Sequence, residues 1–88
     1  MSLIVKRYTA SWCSPCRQLA PIMNELASEM PGVVFKTIDV DDYSAEAKKD
    51  RVNSVPTVII EQNGEELHRF VGVRPKHVIS NVINEYRK

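Results

Sequence analysis

Trp12-Cys13-Ser14-Pro15-Cys16 carries both cysteines of the chain, three positions apart. Ahead of it, Leu3-Ile4-Val5-Lys6-Arg7-Tyr8 reads as a short strand. Behind it, residues Arg17 to Met30 read as a helix, because Leu19, Ile22, Met23, Leu26, Ala27 and Met30 recur at helical spacing. The cysteines therefore fall where a strand gives way to a helix. With Cys13 opening that helix, Cys16 lies one turn further on. Residues i and i+3 of a helix are close neighbours, inside the ~4.4–6.8 Å Cα range that a disulfide needs.

A helix start also suits the chemistry of sulfur. The nucleophile is the thiolate, and unpaired N–H groups with the positive end of the helix dipole favour an anion. Cys13, at the tip, is expected to gain most, and Cys16, one turn inside, to be more buried and less ionised. That asymmetry assigns attack to Cys13 and resolution to Cys16. Pro15 fits a first helical turn, which has no internal use for the N–H that proline lacks.

Working outward, Pro21 falls within the helix and is expected to kink it. Pro31-Gly32 ends it. Val33 to Val40 is rich in β-branched residues and reads as a second strand. Asp41-Asp42-Tyr43-Ser44 offers helix caps for a short helix over residues 45 to 51. Asp39, Asp41 and Asp42 lack the spacing of a calcium loop, so capping and solvation are the expectation for them. Asn53-Ser54-Val55-Pro56 reads as a turn, Thr57 to Glu61 as a third strand, and Asn63-Gly64 as a tight hairpin. A fourth strand covers Glu66 to Val71. Pro75 opens a last helix with an apolar face of Val78, Ile79, Val82, Ile83 and Tyr86. Met1 and Ser2 are expected to fray. The order β-α-β-α-β-β-α implies an α/β fold. Its four-stranded mixed sheet has a right-handed parallel crossover and helices on both faces.

Eighty-eight residues with 43% hydrophobic content make one domain, spanning 1–88. Twelve basic and eleven acidic residues leave a net charge of +1, so no broad field for nucleic acid or for an anionic membrane is expected. No apolar run approaches a membrane span or the core of a secretion signal. Two cysteines without such a leader point to a reducing, cytoplasmic setting, where the pair is catalytic or metal-binding rather than structural. Zinc wants four ligands. Only His68 and His77 remain, far along the chain and without zinc-like spacing, so no metal is expected and both histidines read as surface residues.

The motif resembles the thioredoxin Trp-Cys-Gly-Pro-Cys, with Ser14 in place of glycine. Ala20-Pro21 resembles that family's Ala-Pro, Val55-Pro56-Thr57 its cis-proline tripeptide, Asn63-Gly64-Glu65 its hairpin turn, and Val71-Gly72 the pair before its last helix. The five fall in family order over residues 3 to 87. The resemblance implies a compact thioredoxin-like fold lacking the N-terminal strand and helix. It also implies a Cys13–Cys16 disulfide that opens and closes, with Trp12, Ser14, Pro15 and Pro56 supporting the site. Trp12, packed beside Cys13, Val55, Pro56, Gly72 and Val73 would form the substrate surface. Where the family usually has a buried aspartate six residues before the first cysteine, this chain has Arg7. Where it has the partner lysine, this chain has Thr37.

The function implied is a protein thiol-disulfide oxidoreductase, a disulfide reductase without a cofactor. It would act as a monomer on protein disulfides, recharged by a thioredoxin reductase-type electron donor. The competing readings are a glutaredoxin-like enzyme recharged by glutathione and a redox-inert adaptor that keeps only the docking surface.

Overall fold

A computed structural model describes residues 2–87; the expected fraying of Met1 lies outside the described residues. The elements are β1 (Ile4–Thr9), α1 (Ser14–Glu29), β2 (Val34–Asp39), α2 (Ser44–Lys49), β3 (Thr57–Gln62), β4 (Glu65–Val71) and α3 (Lys76–Tyr86). They build one four-stranded sheet of order β2-β1-β3-β4. β1 runs parallel to β2, with Ile4 opposite Val34 and Tyr8 opposite Ile38. β3 is antiparallel to β1 and to β4. The mixed sheet and the element order follow the sequence expectation, with boundaries moved by up to three residues. The largest move is at the start of α1, which reaches back to Ser14 because Cys13 caps it.

β1 is central, so both of its faces are covered. Val5 belongs to the larger core, with Leu19, Met23 and Leu26 of α1, Val58 and Ile60 of β3, and Ile79 and Ile83 of α3. Tyr8 belongs to a smaller core on the opposite face, with Ile38, Ile59 and Ala47 of α2. This split is the alternation of a strand, whose successive side chains point to opposite faces. α1 and α3 share the first face. Lys76 clamps them together through ion pairs to Glu25 and, at 2.7 Å, to Glu29.

Two local expectations change. Asp41 and Asp42 do not cap α2: its N-cap is Tyr43, without a side-chain hydrogen bond. Asp39 instead turns back on the chain, its Oδ1 accepting from the N–H of Asp41 at 2.8 Å and of Asp42 at 3.3 Å. That is the local competition between a short carboxylate and the backbone that favours turns. Pro21 lies inside α1, where the sequence places it. Pro75 stands one place before α3, at its N-cap. The hairpin turn is as expected, with φ of 57° at Asn63 and 81° at Gly64, the two left-handed residues that match strand twist.

Candidate active site

β1 delivers the chain to the motif through a short turn, closed by the Cys13 N–H donating to the Ala10 carbonyl at 3.2 Å. Cys13 then adopts extended backbone angles (φ −95°, ψ 109°) as the N-cap of α1. Its sulfur accepts from the Cys16 N–H at 3.2 Å. A sulfur is doing here what a serine or aspartate oxygen does at an ordinary N-cap: it satisfies one of the orphan donors of the first turn. Cys13 and Cys16 are joined as a disulfide, with Cα atoms 5.3 Å apart. Ser14 and Pro15 fill the positions between, exposed to solvent in the first turn.

The sulfurs are less open than expected of a helix tip. Cys13 is 4% exposed and Cys16 2%. They pack with Ala10, and Val40 and Val55 close over them. The expected contrast in burial between the two is therefore nearly absent. In the disulfide the Cys13 sulfur is turned inward to its partner, and the loop before β3 lies against it. The Val55 carbonyl oxygen is 3.6 Å from Cys13 Sγ. The Val55–Pro56 peptide bond is cis, and Pro56 is fully buried. The Pro56 carbonyl in turn accepts from the Gly72 N–H at 2.9 Å. Gly72 has φ of 91°, a left-handed conformation that glycine adopts without a steric cost. Val73 is half-buried and packs against the larger core.

Trp12 stands out into solvent next to Cys13 in the chain. It is 66% exposed, its indole N–H donating to Asp41 Oδ2 at 2.9 Å. Trp12, Val40, Val52, Asn53, Ser54 and Val55 line a largely apolar cleft of about 180 Å³ beside the cysteines. The structure thus brings Trp12, Cys13, Cys16, Val55, Pro56 and Gly72 to one end of the sheet. It adds Asp41, whose part went unread because an aspartate before a helix reads first as a cap.

On the α1 face of the sheet, beside Met23 and Ala27, the Arg7–Thr37 exchange forms a contact. Arg7 is 7% exposed, and its Nη2 donates to Thr37 Oγ1 at 3.0 Å. Burial lowers the guanidinium pKa. Among the described residues no group of three or more metal-ligating side chains gathers, at the Asp39–Asp42 turn or elsewhere. Nor is any helix long and apolar enough to cross a membrane.

The thioredoxin family model matches residues 1–85. A thioredoxin from Chlamydia pneumoniae is 39% identical over 84 residues, 96% of this chain and 82% of that protein. An H-type thioredoxin from Fagopyrum esculentum is 40% identical over 80 residues, 91% of this chain and 69% of that protein. The thioredoxin of Fasciola hepatica superposes with a TM-score of 0.92 at 36% identity, over 98% of this chain and 82% of that one. The thioredoxin of Nicotiana alata superposes with 0.94 at 33% identity, over 99% and 75%. A cysteine-capped helix beside a cis-proline loop, on a sheet that superposes this closely, makes the chain a member of the thioredoxin family and a protein thiol-disulfide oxidoreductase.

Proposed function

We propose that residues 1–88 form one domain that reduces protein disulfides by a Cys13/Cys16 cycle. The Cys13 thiolate attacks one sulfur of a substrate disulfide. A Cys13–substrate bond forms, and the substrate's other sulfur leaves as a thiolate and takes a proton from water. Cys16, losing its own proton, then attacks Cys13. The Cys13–Cys16 disulfide forms, and the second substrate sulfur leaves reduced. Two electrons pass from the protein to the substrate. A thioredoxin reductase-type donor returns them, and no cofactor is held by this chain.

The observation that carries the reading is the Cys13 sulfur at the N-cap of α1, 3.2 Å from the Cys16 N–H. A thiolate at that point accepts a charge-assisted hydrogen bond and sits at the positive end of the helix dipole. Val55 offers backbone groups beside Cys13 with which an extended substrate segment pairs. Pro56 and Gly72 hold that edge in place, Ser14 and Pro15 shape the first turn, and Trp12 and Val73 flank it. The protein works as a cytoplasmic monomer.

Cys13→Ser is expected to reduce insulin no faster than the uncatalysed background, whereas Cys16→Ser accumulates mixed disulfides detectable by mass spectrometry. Full activity in Cys13→Ser overturns the assignment. Turnover with a thioredoxin reductase and NADPH, set against turnover with glutathione, decides the donor. Faster recharging by glutathione would make the chain glutaredoxin-like in use.

A further inference from the structure

Arg7 brings a full positive charge into the sheet at 7% exposure. Its one hydrogen bond runs from Nη2 to Thr37 Oγ1 at 3.0 Å, and among the described residues it enters no ion pair. A guanidinium has five N–H donors, so most of these donors are idle. Yet among the described residues no buried side-chain nitrogen or oxygen is left without a partner. The idle nitrogens are therefore not sealed in the core; they meet open space. Arg7 lines such a space, a cavity of about 20 Å³ bounded by α1, β1 and β2.

Of the residues around that cavity, Val5, Arg7 and Met23 are buried, whereas Asn24, Lys36 and Thr37 are exposed. The cavity thus runs from a buried floor to the surface, beside the edge strand β2. Two of its lining residues are cations and none is an acid. A buried charge without a counter-charge is costly. Its neighbour Lys6 has Asp50 at 2.6 Å and Glu61 at 3.1 Å to offset that cost. Arg7 has from the chain only a neutral hydroxyl. A small anion drawn from solvent would supply what the chain does not. Size decides which anion: the space takes about one water-sized body, so a single-atom anion enters and a four-oxygen sulfate or phosphate does not.

We propose that the cavity between α1 and β2 is a halide site, in which Arg7 binds a chloride-sized anion and Lys36 adds its field at the mouth. The site does not depend on the thiol chemistry, and its failure would leave the reductase reading intact. An ion that binds the folded chain and not the unfolded one stabilises the fold in a saturable way. Simple screening of charge has no such saturation and no preference for one monovalent anion over another of the same charge.

The test titrates the oxidised protein with sodium chloride against sodium gluconate at constant ionic strength. For a Kd of about 50 mM, full replacement at ~0.2 M is expected to raise the Tm of wild type by about 4 °C more than that of Arg7→Met, which has no cation to neutralise. Chloride NMR reads the ion itself. Wild type is expected to broaden the chloride line, with bromide reversing the broadening and sulfate of equal ionic strength failing to. Arg7→Met is expected to lose most of that broadening. Equal Tm responses in the two proteins, or equal line widths, overturn the proposal and leave the cavity to a water molecule. If Arg7→Met does not fold, wild type alone decides: a chloride line that it does not broaden, or a broadening that sulfate displaces as well as bromide does, overturns the site.

Discussion

Lys6 and Arg7 are adjacent on β1, both buried to the same degree at 7% exposure, and they meet opposite fates. Lys6 points to the α2 face. It donates to Asp50 at 2.6 Å and pairs with Glu61 at 3.1 Å, and the Tyr8 hydroxyl donates to the same Asp50 carboxylate. Arg69 ties the network to β4, donating to the Asp50 carbonyl and to Glu66, both at 2.7 Å. Arg7 points to the α1 face and has a threonine hydroxyl. Burial alone would lower the Lys6 pKa, but hydrogen bonds and charges from Asp50 and Glu61 raise it overall. For Arg7 burial acts without such opposition. The strand alternation thus separates a compensated charge from an uncompensated one across a single peptide bond. Burial alone says little about what a charge contributes; its partners decide.

The largest effect should come from breaking the compensated side. Asp50→Ala strands Lys6 with Glu61 only and leaves the Tyr8 hydroxyl without its acceptor, so unfolding in urea should show a loss of about 3 kcal/mol. A loss below about 1 kcal/mol would mean the network is solvated and the contrast with Arg7 is empty.

Next comes the same substitution at both neighbours. Lys6→Met leaves two half-buried carboxylates facing each other and should cost about 2 kcal/mol. Arg7→Met leaves only a threonine hydroxyl and removes an uncompensated cation. It should lie within about 1 kcal/mol of wild type, on the stabilising side. Equal losses at the two positions would break the comparison.

Acidity sharpens it further. Burial of Asp50 opposes ionisation, but hydrogen bonds from Lys6 and Tyr8, with the charges of Lys6 and Arg69, lower its pKa overall. A depressed folded pKa gives stability that is complete above the ordinary aspartate value, ~3.9, and is lost as pH falls through the folded value. Tyr8 behaves in the other sense. Burial, then its bond to Asp50, raises the phenol well above its usual range, and stability falls as pH climbs past ~10. Lys6, also raised, adds to that alkaline loss. Asp50→Asn should flatten the acid limb of a stability–pH curve, while Arg7→Met should leave its shape unchanged. An acid limb that survives in Asp50→Asn would place the titrating carboxylate elsewhere.

The smallest effect belongs to the exposed pair. Asp41→Ala should change stability by less than about 0.5 kcal/mol, yet shift the emission of Trp12, whose indole it holds. An unshifted spectrum would show that the indole and carboxylate part in solution.

The fold was legible where its causes are local. The cysteine spacing, the helical stripe of Leu19, Met23 and Leu26, and Asn63-Gly64 each carry their geometry within a few residues. The partnership of Lys6 with Asp50 spans 44 positions, and no period or motif joins them. Trp12 and Asp41 are likewise brought together only when β1 and β2 lie side by side, so their hydrogen bond leaves no local mark in the sequence. The near-equal burial of the two sulfurs could not be read from helix position either. It depends on how closely the Val55 loop presses on α1, a matter of tertiary packing.

β1 takes its parallel neighbour from residues 34–39 and its antiparallel neighbour from residues 57–61, so that Ile4 faces both Val34 and Glu61. During translation the strand that organises the sheet is thus made long before the segment that completes it. The nascent polypeptide must hold Val5 and Tyr8 unsheltered until β3 has cleared the ribosome tunnel, a late closure imposed by non-local pairing. A ribosome stalled so that only residues up to 55 have emerged should leave a protease-sensitive chain, and one that has released all of α3 a resistant one.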